Sequence, residues 1–213
     1  VTSGSYVVTG LTPGEHTINA TYAGDDKYNP AEANETVIVD KWSNYELPVS
    51  ADNVTYGNPV DVTVIVPEGA TGSVTFIVDD GTPVEVPIED GKAVLTVDKP
   101  VVGEHDVTVQ FADDNYDGKT AITSFTVSKA DPSDVPSDMV VTPGDEKTNS
   151  TVEVTLPEDV TGDIEVIIDG VPYDNFTVVN GTVNVTLPIL PPGEHNITVV
   201  YPGDDNYPEI VKT

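Results

Sequence analysis

Cysteine and arginine are missing from the 213 residues, and tryptophan and methionine occur once each. The absence of cysteine excludes disulfide bonds and thiolate chemistry. The only basic side chains besides histidine are eight lysines, which face 37 acidic residues and leave a formal net charge of -29. Because a polyanion repels phosphate groups, this charge argues against nucleic acids and anionic lipid surfaces as partners.

Long apolar runs are missing as well. None approaches the roughly 20 residues that a transmembrane helix needs, so we expect no membrane insertion in this segment. The first residue is valine rather than methionine, and no secretory signal is visible. We therefore expect that an upstream part of the protein has been removed.

What the chain does have is internal repetition. The stretch PGEHTINATYAGDDKY at 13–28 returns as VGEHDVTVQFADDNY at 102–116 and as PGEHNITVVYPGDDNY at 192–207. Each copy holds one of the chain's three histidines and a pair of aspartates. Three matched sets are compatible with three active sites, three metal sites, or one structural element used three times.

The pattern between the copies indicates β-strands. Val60, Val62, Val64 and Val66 recur with a period of two, which is typical of a half-buried strand. Further short runs rich in Val, Ile and Thr are separated by turn residues, and Asn180-Gly181 is a two-residue hairpin signal. No helical period is convincing. About seven strands in roughly 90 residues predict an all-β chain of tandem immunoglobulin-like β-sandwich repeats.

The copies do not match at the two ends of the chain. Residues 1–40, the first repeat, correspond to the last three strands of an incomplete domain. Residues 41–129, the second repeat, form a complete domain, and residues 130–213, the third repeat, lack part of the last strand. Three strands alone are a poor independent fold. We therefore expect that the chain is a window from a longer array, or that another chain completes its open repeats.

The three histidines, His16, His105 and His195, occupy one place in the repeat. Each follows a Pro-Gly or Val-Gly corner and is the first core-facing residue of the penultimate strand. Sandwiches often carry a polar ring there that hydrogen-bonds back to the preceding loop. No repeat pairs its histidine with a Ser or Cys nucleophile at a recognisable spacing, and none holds a second histidine for zinc. The histidines are therefore predicted to be architectural.

The aspartate pairs lie in the loop before the last strand, which we expect to face the linker that enters the domain. Clustered carboxylates at such a junction are ligands that calcium prefers. The alternative is turn chemistry with solvated charge. The candidate interdomain calcium ligands are Asp40, Asp113, Asp114, Asp131, Asp134, Asp204 and Asp205.

Asn-x-Ser/Thr sequons are frequent, and part of the excess arises because outward strand faces favour Asn and Thr at alternate positions. The functional interpretation is N-glycosylation on a secreted surface, given a host that glycosylates. The candidate sites are Asn19, Asn34, Asn53, Asn149, Asn175, Asn180, Asn184 and Asn196.

The stretch LTPGEHTINATYAGDDKYNPAEANETVIV at 11–39 resembles the bacterial Ig-like domain, group 3. Units of that family end in a Pro/Ala-Gly-x-His/Tyr strand followed by Gly-Asp-x-x-Tyr. Acidic, sequon-rich arrays of this kind resemble adhesin-like surface proteins of methanogenic archaea. The resemblance implies an extracellular stalk on the cell surface, and it supplies no catalytic residues.

Three functions remain open at this point. The first is a structural stalk or spacer of a cell-surface adhesin-like protein, whose partners are neighbouring Ig-like repeats of the same or an adjacent chain. The second is an adhesive module that binds a host-cell or cell-wall glycan or protein. The third is a subunit of an extracellular filament or sheath that is completed by strand exchange. An enzyme is not expected, and neither is a cofactor apart from calcium.

Overall fold

In a computed structural model of the chain, the described residues, 4–213, form β-strands and no helix. Turn residues separate the short runs of Val, Ile and Thr, so the strands are short and numerous. The strands are β1 (Gly14–Tyr22), β2 (Ala31–Val39), β3 (Val49–Ser50), β4 (Val54–Thr55), β5 (Val60–Ile65), β6 (Ser73–Val78), β7 (Val84–Pro87), β8 (Lys92–Val97), β9 (Gly103–Phe111), β10 (Lys119–Ser128), β11 (Asp138–Thr142), β12 (Thr151–Thr155), β13 (Asp163–Ile168), β14 (Val171–Thr177), β15 (Thr182–Thr186), β16 (Ile197–Tyr201) and β17 (Ile210–Lys212).

In the first repeat, β1 and β2 form an antiparallel two-stranded sheet in which His16 lies opposite Val37. Residues 4–12 form no strand, so two of the three strands predicted for this repeat are present. The stretch GSYVVTGL at 4–11 matches GKAVLTV at 91–97, which in the second repeat forms β8 in another sheet, beside β5. The described part of the first repeat supplies no such neighbour, and a strand without a neighbour has no ladder of backbone hydrogen bonds.

The second repeat contains two sheets. One has the strand order β3-β5-β8, and the other has the order β4-β10-β9-β6-β7. The short strand β4 pairs in parallel with the end of β10, where Val54 lies opposite Val127. Strand β6 pairs antiparallel with both β7 and β9. Two sheets with inward-facing apolar residues are the sandwich that the sequence predicts.

The third repeat has the same plan with fewer strands. One sheet has the order β11-β12-β15, and the other has the order β14-β13-β16-β17. The hairpin before β15 turns at Asn180 and Gly181, whose φ angles are 49° and 71°. Val179 and Thr182 exchange both backbone hydrogen bonds across this turn, at 3.2 and 3.0 Å. It is the two-residue hairpin that Asn-Gly indicates, because such turns need positive φ at both central residues.

Two compact units are present in the chain. The N-terminal compact unit consists of Val1–Ser50, Val62–Leu95 and Asp106–Thr123, and the C-terminal compact unit consists of Ala51–Asp61, Thr96–His105 and Ser124–Thr213. The first unit contains all of the β1-β2 sheet, and the second contains all strands of the third repeat. The repeat boundaries drawn from the sequence stay a prediction.

Burial follows the alternation seen in the sequence. Val60, Val62 and Val64 are at most 1% exposed, whereas Ile65 on the opposite side of β5 is 55% exposed. The third repeat has a core of its own, which includes Ile164 and Leu187, both fully buried. Each fully buried Val, Leu or Ile side chain contributes about 1.5–3 kcal/mol by leaving water. The predicted all-β fold is confirmed.

Candidate functional site

The three histidines make the same hydrogen bond. The Nε2 atom of each ring donates to the backbone carbonyl four residues earlier, over 2.6 Å from His16 to Thr12, 2.8 Å from His105 to Val101 and 2.8 Å from His195 to Pro191. The corner glycine between donor and acceptor has positive φ in every copy, which turns the carbonyl back toward the ring. The ring therefore ties the preceding loop to the strand, as predicted for an architectural residue.

His105 shows how this corner is built into the wall of the sandwich. Its side chain is buried, and its ring stacks on Phe125 with centroids 5.0 Å apart and planes 21° apart. Along β9, the residues at alternate positions after His105 are buried as well. The ring of His105 therefore packs against apolar neighbours in the wall of the sandwich.

His195 has an additional partner that the sequence did not reveal. Its Nδ1 atom lies 2.7 Å from Oδ2 of Asp169, whose Oδ1 accepts the backbone N–H of Asn196 over 2.9 Å. The hydrogen bonds that the imidazole donates to the carboxylate of Asp169 and to the carbonyl of Pro191 raise the pKa of His195. The same contact to His195, with that from Asn196, lowers the pKa of Asp169. The signal in the sequence was the Asp-Gly turn before β14.

We expect Asp169→Asn to lower the pKa of His195, because the amide keeps the bond to Asn196 but removes the negative charge. In the wild type, the raised pKa of His195 contributes stability below about pH 6.5 that is lost as the pH rises through the folded value. The lowered pKa of Asp169 contributes stability above about pH 3.9 that is lost on acidification. An NMR titration of the imidazole measures the shift. Asp174→Asn, which removes an equal charge elsewhere, should leave the titration unchanged.

The first aspartate of each pair closes its own loop. Oδ1 accepts the backbone N–H groups two and three residues later, at 2.8 and 2.8 Å for Asp25, 2.7 and 2.8 Å for Asp113, and 2.9 and 2.8 Å for Asp204. This is the side-chain turn for which aspartate is favoured in loops. The second aspartate of each pair is exposed.

The other carboxylate oxygen reaches a second loop in the two later repeats. Oδ2 of Asp113 accepts the N–H of Thr71 over 3.0 Å, and Oδ2 of Asp204 accepts the N–H of Thr161 over 2.9 Å. Burial opposes ionisation of Asp204, but the N–H groups of Thr161, Tyr207 and Asn206 outweigh it and lower its pKa. The carboxylate therefore ties the last loop to the loop that precedes the central strand of the same sheet.

The linkers contact these loops through lysine. Lys41 Nζ donates to the carbonyl of Asp113 over 2.7 Å, and Lys129 Nζ donates to the carbonyl of Asp204. The linker backbone next to Lys129 contacts the same loop, because Ala130 donates its N–H to the carbonyl of Asn206 over 3.0 Å. The loops thus face the linkers, and an ammonium group supplies a cation at this place. The sequence signal was a lysine at the matched position of both linkers.

Comparison with known families accounts for this repeated plan. The sequence profile described as bacterial Ig-like domain (group 3) matches residues 47–128 and 135–213. The chain belongs to this family. Bacterial Ig-like domains are typically non-catalytic structural modules and are typically extracellular or surface-associated. No helix among residues 4–213 is long and apolar enough to cross a membrane.

Several solved structures resemble this Ig-like chain. Fibronectin(III)-like modules of Clostridium thermocellum CbhA share 14% identity at a TM-score of 0.34, covering 78% of this chain and 91% of that one. Latent PorU from Porphyromonas gingivalis shares 13% at a TM-score of 0.29, covering 93% of this chain and 23% of that one. A chimeric titin Z1Z2-Z1Z2 tandem shares 13% at a TM-score of 0.29, covering 78% and 95%. No curated protein matches the chain.

The seven aspartates of the calcium hypothesis are dispersed over the Ig-like repeats. Asp40 and Asp114 line one cleft together with Asp117. Asp131 is occupied by its own turn, where Oδ1 accepts the N–H and the hydroxyl of Ser133 over 2.9 and 2.6 Å. In the described part of the chain, no three acidic or histidine side chains form a group that could hold a metal ion. Calcium binding stays a prediction.

If turn chemistry is the role of these aspartates, calcium is expected to produce no specific rise in melting temperature. The carboxylates of Asp113 and Asp204, the first aspartate of each pair, already accept backbone N–H groups. Lys41 and Lys129 already neutralise part of the negative charge at these loops. Calorimetry in calcium and in chelator, with sodium chloride at matched ionic strength, measures the difference. A rise with calcium that magnesium does not reproduce, and that Asp205→Asn abolishes, would support the calcium hypothesis over turn chemistry.

Proposed function

We propose that this chain is a spacer segment of an extracellular, cell-surface adhesin-like protein. The observation that carries the proposal is which groups the matched polar residues contact. In each later repeat, the histidine holds a corner, the aspartate joins two loops, and the linker lysine holds the last loop. The histidine, aspartate and lysine side chains thus connect β-strands, loops and linkers. Membership of a family of structural modules supports the same role.

Exchange of the segment in the full protein tests this function. Replacing residues 41–213 by two Ig-like domains of unrelated surface should preserve adhesion, because a spacer contributes length and not contacts. Deleting the same residues should reduce adhesion, since the binding region then lies closer to the envelope. If the unrelated domains abolish adhesion as completely as the deletion does, this segment binds the ligand itself.

Binding by this segment can be examined directly through its one tryptophan. Trp42 is 60% exposed and stacks on Tyr116, with centroids 6.1 Å apart and planes 22° apart. An exposed indole is the platform that a sugar-binding module would use. The isolated chain is expected to bind neither host cells nor cell-wall polysaccharides. Binding that is lost in Trp42→Ala would establish an adhesive module instead.

One observation favours strand exchange as a second candidate function. Ile18 and Tyr22 on β1 are 37% and 44% exposed, whereas the matched Val107 and Phe111 on β9 are 0% and 2% exposed. This exposed face of the first repeat fits strands from a neighbouring chain, as in a filament or sheath. Sedimentation over a range of concentrations tests the candidate, because a purely monomeric chain would exclude it.

N-glycosylation belongs to the same proposal, and the sequons differ in their availability. Asn53 accepts the N–H of Thr126 through Oδ1 over 2.7 Å, and Asn149 donates to the carbonyl of Leu187 through Nδ2 over 2.6 Å. The remaining six sequon asparagines are exposed, and none of their side chains makes a hydrogen bond within the described residues. Asn19 and Asn34 lie directly opposite each other on β1 and β2.

In a glycosylating native host we expect glycans on some of the six and none on Asn53 or Asn149. These hydrogen bonds hold both amides against the protein, and at Asn149 the bond uses the nitrogen atom that would carry the glycan. Glycopeptide mass spectrometry of the secreted protein measures occupancy at each site. Expression without glycosylation gives the unmodified reference mass, and occupancy at Asn149 equal to that at Asn175 would contradict the expectation.

A further inference from the structure

Three side chains surround the carboxylate of Asp159 in the C-terminal compact unit, and we call Tyr56, Lys99, Asp159 and Tyr207 the Asp159 cluster. Oδ2 of Asp159 accepts the hydroxyl of Tyr56 over 2.8 Å and the ammonium of Lys99 over 2.6 Å. Oδ1 accepts the hydroxyl of Tyr207 over 2.7 Å. Both carboxylate oxygens are thus occupied by donors from three separate segments.

The rings and the cation of the cluster also contact one another. Tyr56 and Tyr207 meet edge to face, with centroids 5.4 Å apart and planes 87° apart. The Lys99 ammonium lies 4.9 Å from the centroid of the Tyr56 ring. Burial opposes ionisation of Asp159, but the hydrogen bonds from Lys99, Tyr207 and Tyr56 outweigh it and hold its pKa well below the usual range. The anion at the centre is therefore permanent at physiological pH.

The cluster joins two Ig-like repeats. Tyr56 and Lys99 belong to the second repeat, while Asp159 and Tyr207 belong to the third, and all four lie in the same compact unit. The side chains of Lys99 and Asp159 are 47% and 39% exposed. An isolated ion pair of that exposure contributes little, but here the carboxylate is shared by three donors and flanked by two packed rings, which fixes one geometry.

The preceding junction lacks this contact. Gly10 in VTGLTPGEH stands where Lys99 stands in VDKPVVGEH, and Gly69 in PEGATG stands where Asp159 stands in PEDVTG. Tyr116, the counterpart of Tyr207, donates instead to the backbone carbonyl of Glu68 over 2.7 Å. The junction between the second and third repeats thus has both the lysine and the aspartate, whereas the preceding junction has glycine at both positions.

Backbone geometry adds an independent argument. Gly10 and Lys99 both have left-handed φ angles, 77° and 45°. Glycine adopts this conformation freely, whereas a lysine there is strained. A strained lysine at a position that suits glycine indicates that its side chain is needed for the contact with Asp159.

We propose that Tyr56 and Lys99 form a docking surface for the adjoining Ig-like repeat, specific for a repeat that presents an aspartate after Pro-Glu in its loop. The contact fixes the third repeat on the second, and junctions with glycine at both positions lack this restraint. The inference concerns orientation between repeats, and it holds whether the protein acts as a spacer or as an adhesive module.

NMR residual dipolar couplings of the intact 213-residue chain test the proposal. In the wild type, the amides of the second and third repeats should fit one alignment tensor. Asp159→Gly, which copies the preceding junction, and Lys99→Met should each require two separate tensors. Glu158→Gln removes a neighbouring charge from the same loop and should retain a single tensor. Unchanged core chemical shifts within each repeat show that the variants are folded.

Each outcome decides the matter. Separate tensors in Asp159→Gly and Lys99→Met, with one tensor in Glu158→Gln, support the docking surface. One shared tensor in both cluster variants overturns it, and so does separation in Glu158→Gln, because loop charge in general would then be responsible. If Asp159→Gly fails to fold, Lys99→Met decides alone, since that side chain lies outside the third repeat.

Discussion

Asp204→Ala is expected to lower the free energy of unfolding of the third repeat by about 2–4 kcal/mol. The carboxylate accepts N–H groups from Asn206, Tyr207 and Thr161, and the Thr161 hydroxyl lies 3.1 Å from Oδ2. Hydrogen bonds to a charged group contribute about 1.5–3 kcal/mol each. Water reaches part of this loop after the side chain is truncated, so the loss of free energy of unfolding stays below the sum of these hydrogen-bond contributions. Urea unfolding measures it.

The second aspartate of the pair, Asp205, supplies the control for Asp204→Ala. Asp205→Ala removes an equal charge from an exposed side chain and is expected to change stability by no more than about 0.5 kcal/mol. The lowered pKa of Asp204 contributes stability above about pH 3.9 that is lost as the pH falls through the folded value. The wild type should therefore lose this contribution in acid, whereas Asp204→Ala should not. Equal losses in the two variants would indicate net charge as the cause.

The fold was predictable because it depends on local patterns. Alternation along Val60, Val62 and Val64 identifies a buried face without knowledge of any partner. Asn180-Gly181 specifies its turn through its own backbone preferences. The place of His105 in the wall follows from its position relative to the corner glycine and the alternating residues after it. Each of these inferences needs only residues that are near in sequence.

The contacts that define the candidate site were not predictable in the same way. Lys41 and Asp113 are 72 residues apart, and Lys99 and Asp159 are 60 apart. A periodic pattern states which way a side chain points, but it does not identify the distant group that the side chain meets. Residues 4–12 form no strand, and local pattern could not have shown this, because a strand depends on a neighbour elsewhere in the sequence.

Comparison of the three repeats partly overcomes this limit on predicting distant contacts. It separates the contacts that all repeats share from those that occur at one junction. The histidine corner and the aspartate turn occur in all three repeats, which is expected of contacts that each repeat needs in order to fold. The lysine and aspartate of the Asp159 cluster occur at one junction only. A contact of that kind determines how repeats are joined, and so it bears on the function of the array more than the shared contacts do.

Gly181→Ala is expected to destabilise the third repeat by about 3 kcal/mol or more. A Cβ atom at this position would overlap the carbonyl oxygen of Leu156 and would lie 2.8 Å from that of Pro157. These are backbone atoms, and the N–H of Leu156 donates to the carbonyl of Gly181 over 2.7 Å. The overlap therefore cannot be relieved without loss of the contact between this hairpin and the strand beside it.

Gly91 is the matched control, because it occupies the same hairpin in the second repeat. Its φ of 75° is close to the 71° of Gly181, but a Cβ there would meet nothing within 4 Å. Gly91→Ala should thus show only the conformational penalty, about 1–2 kcal/mol. Chemical denaturation of both variants, followed by NMR signals from each repeat, compares the two losses. Equal losses would mean that backbone conformation alone requires glycine, whereas a larger loss at Gly181 would show that close packing between hairpin and strand requires it too.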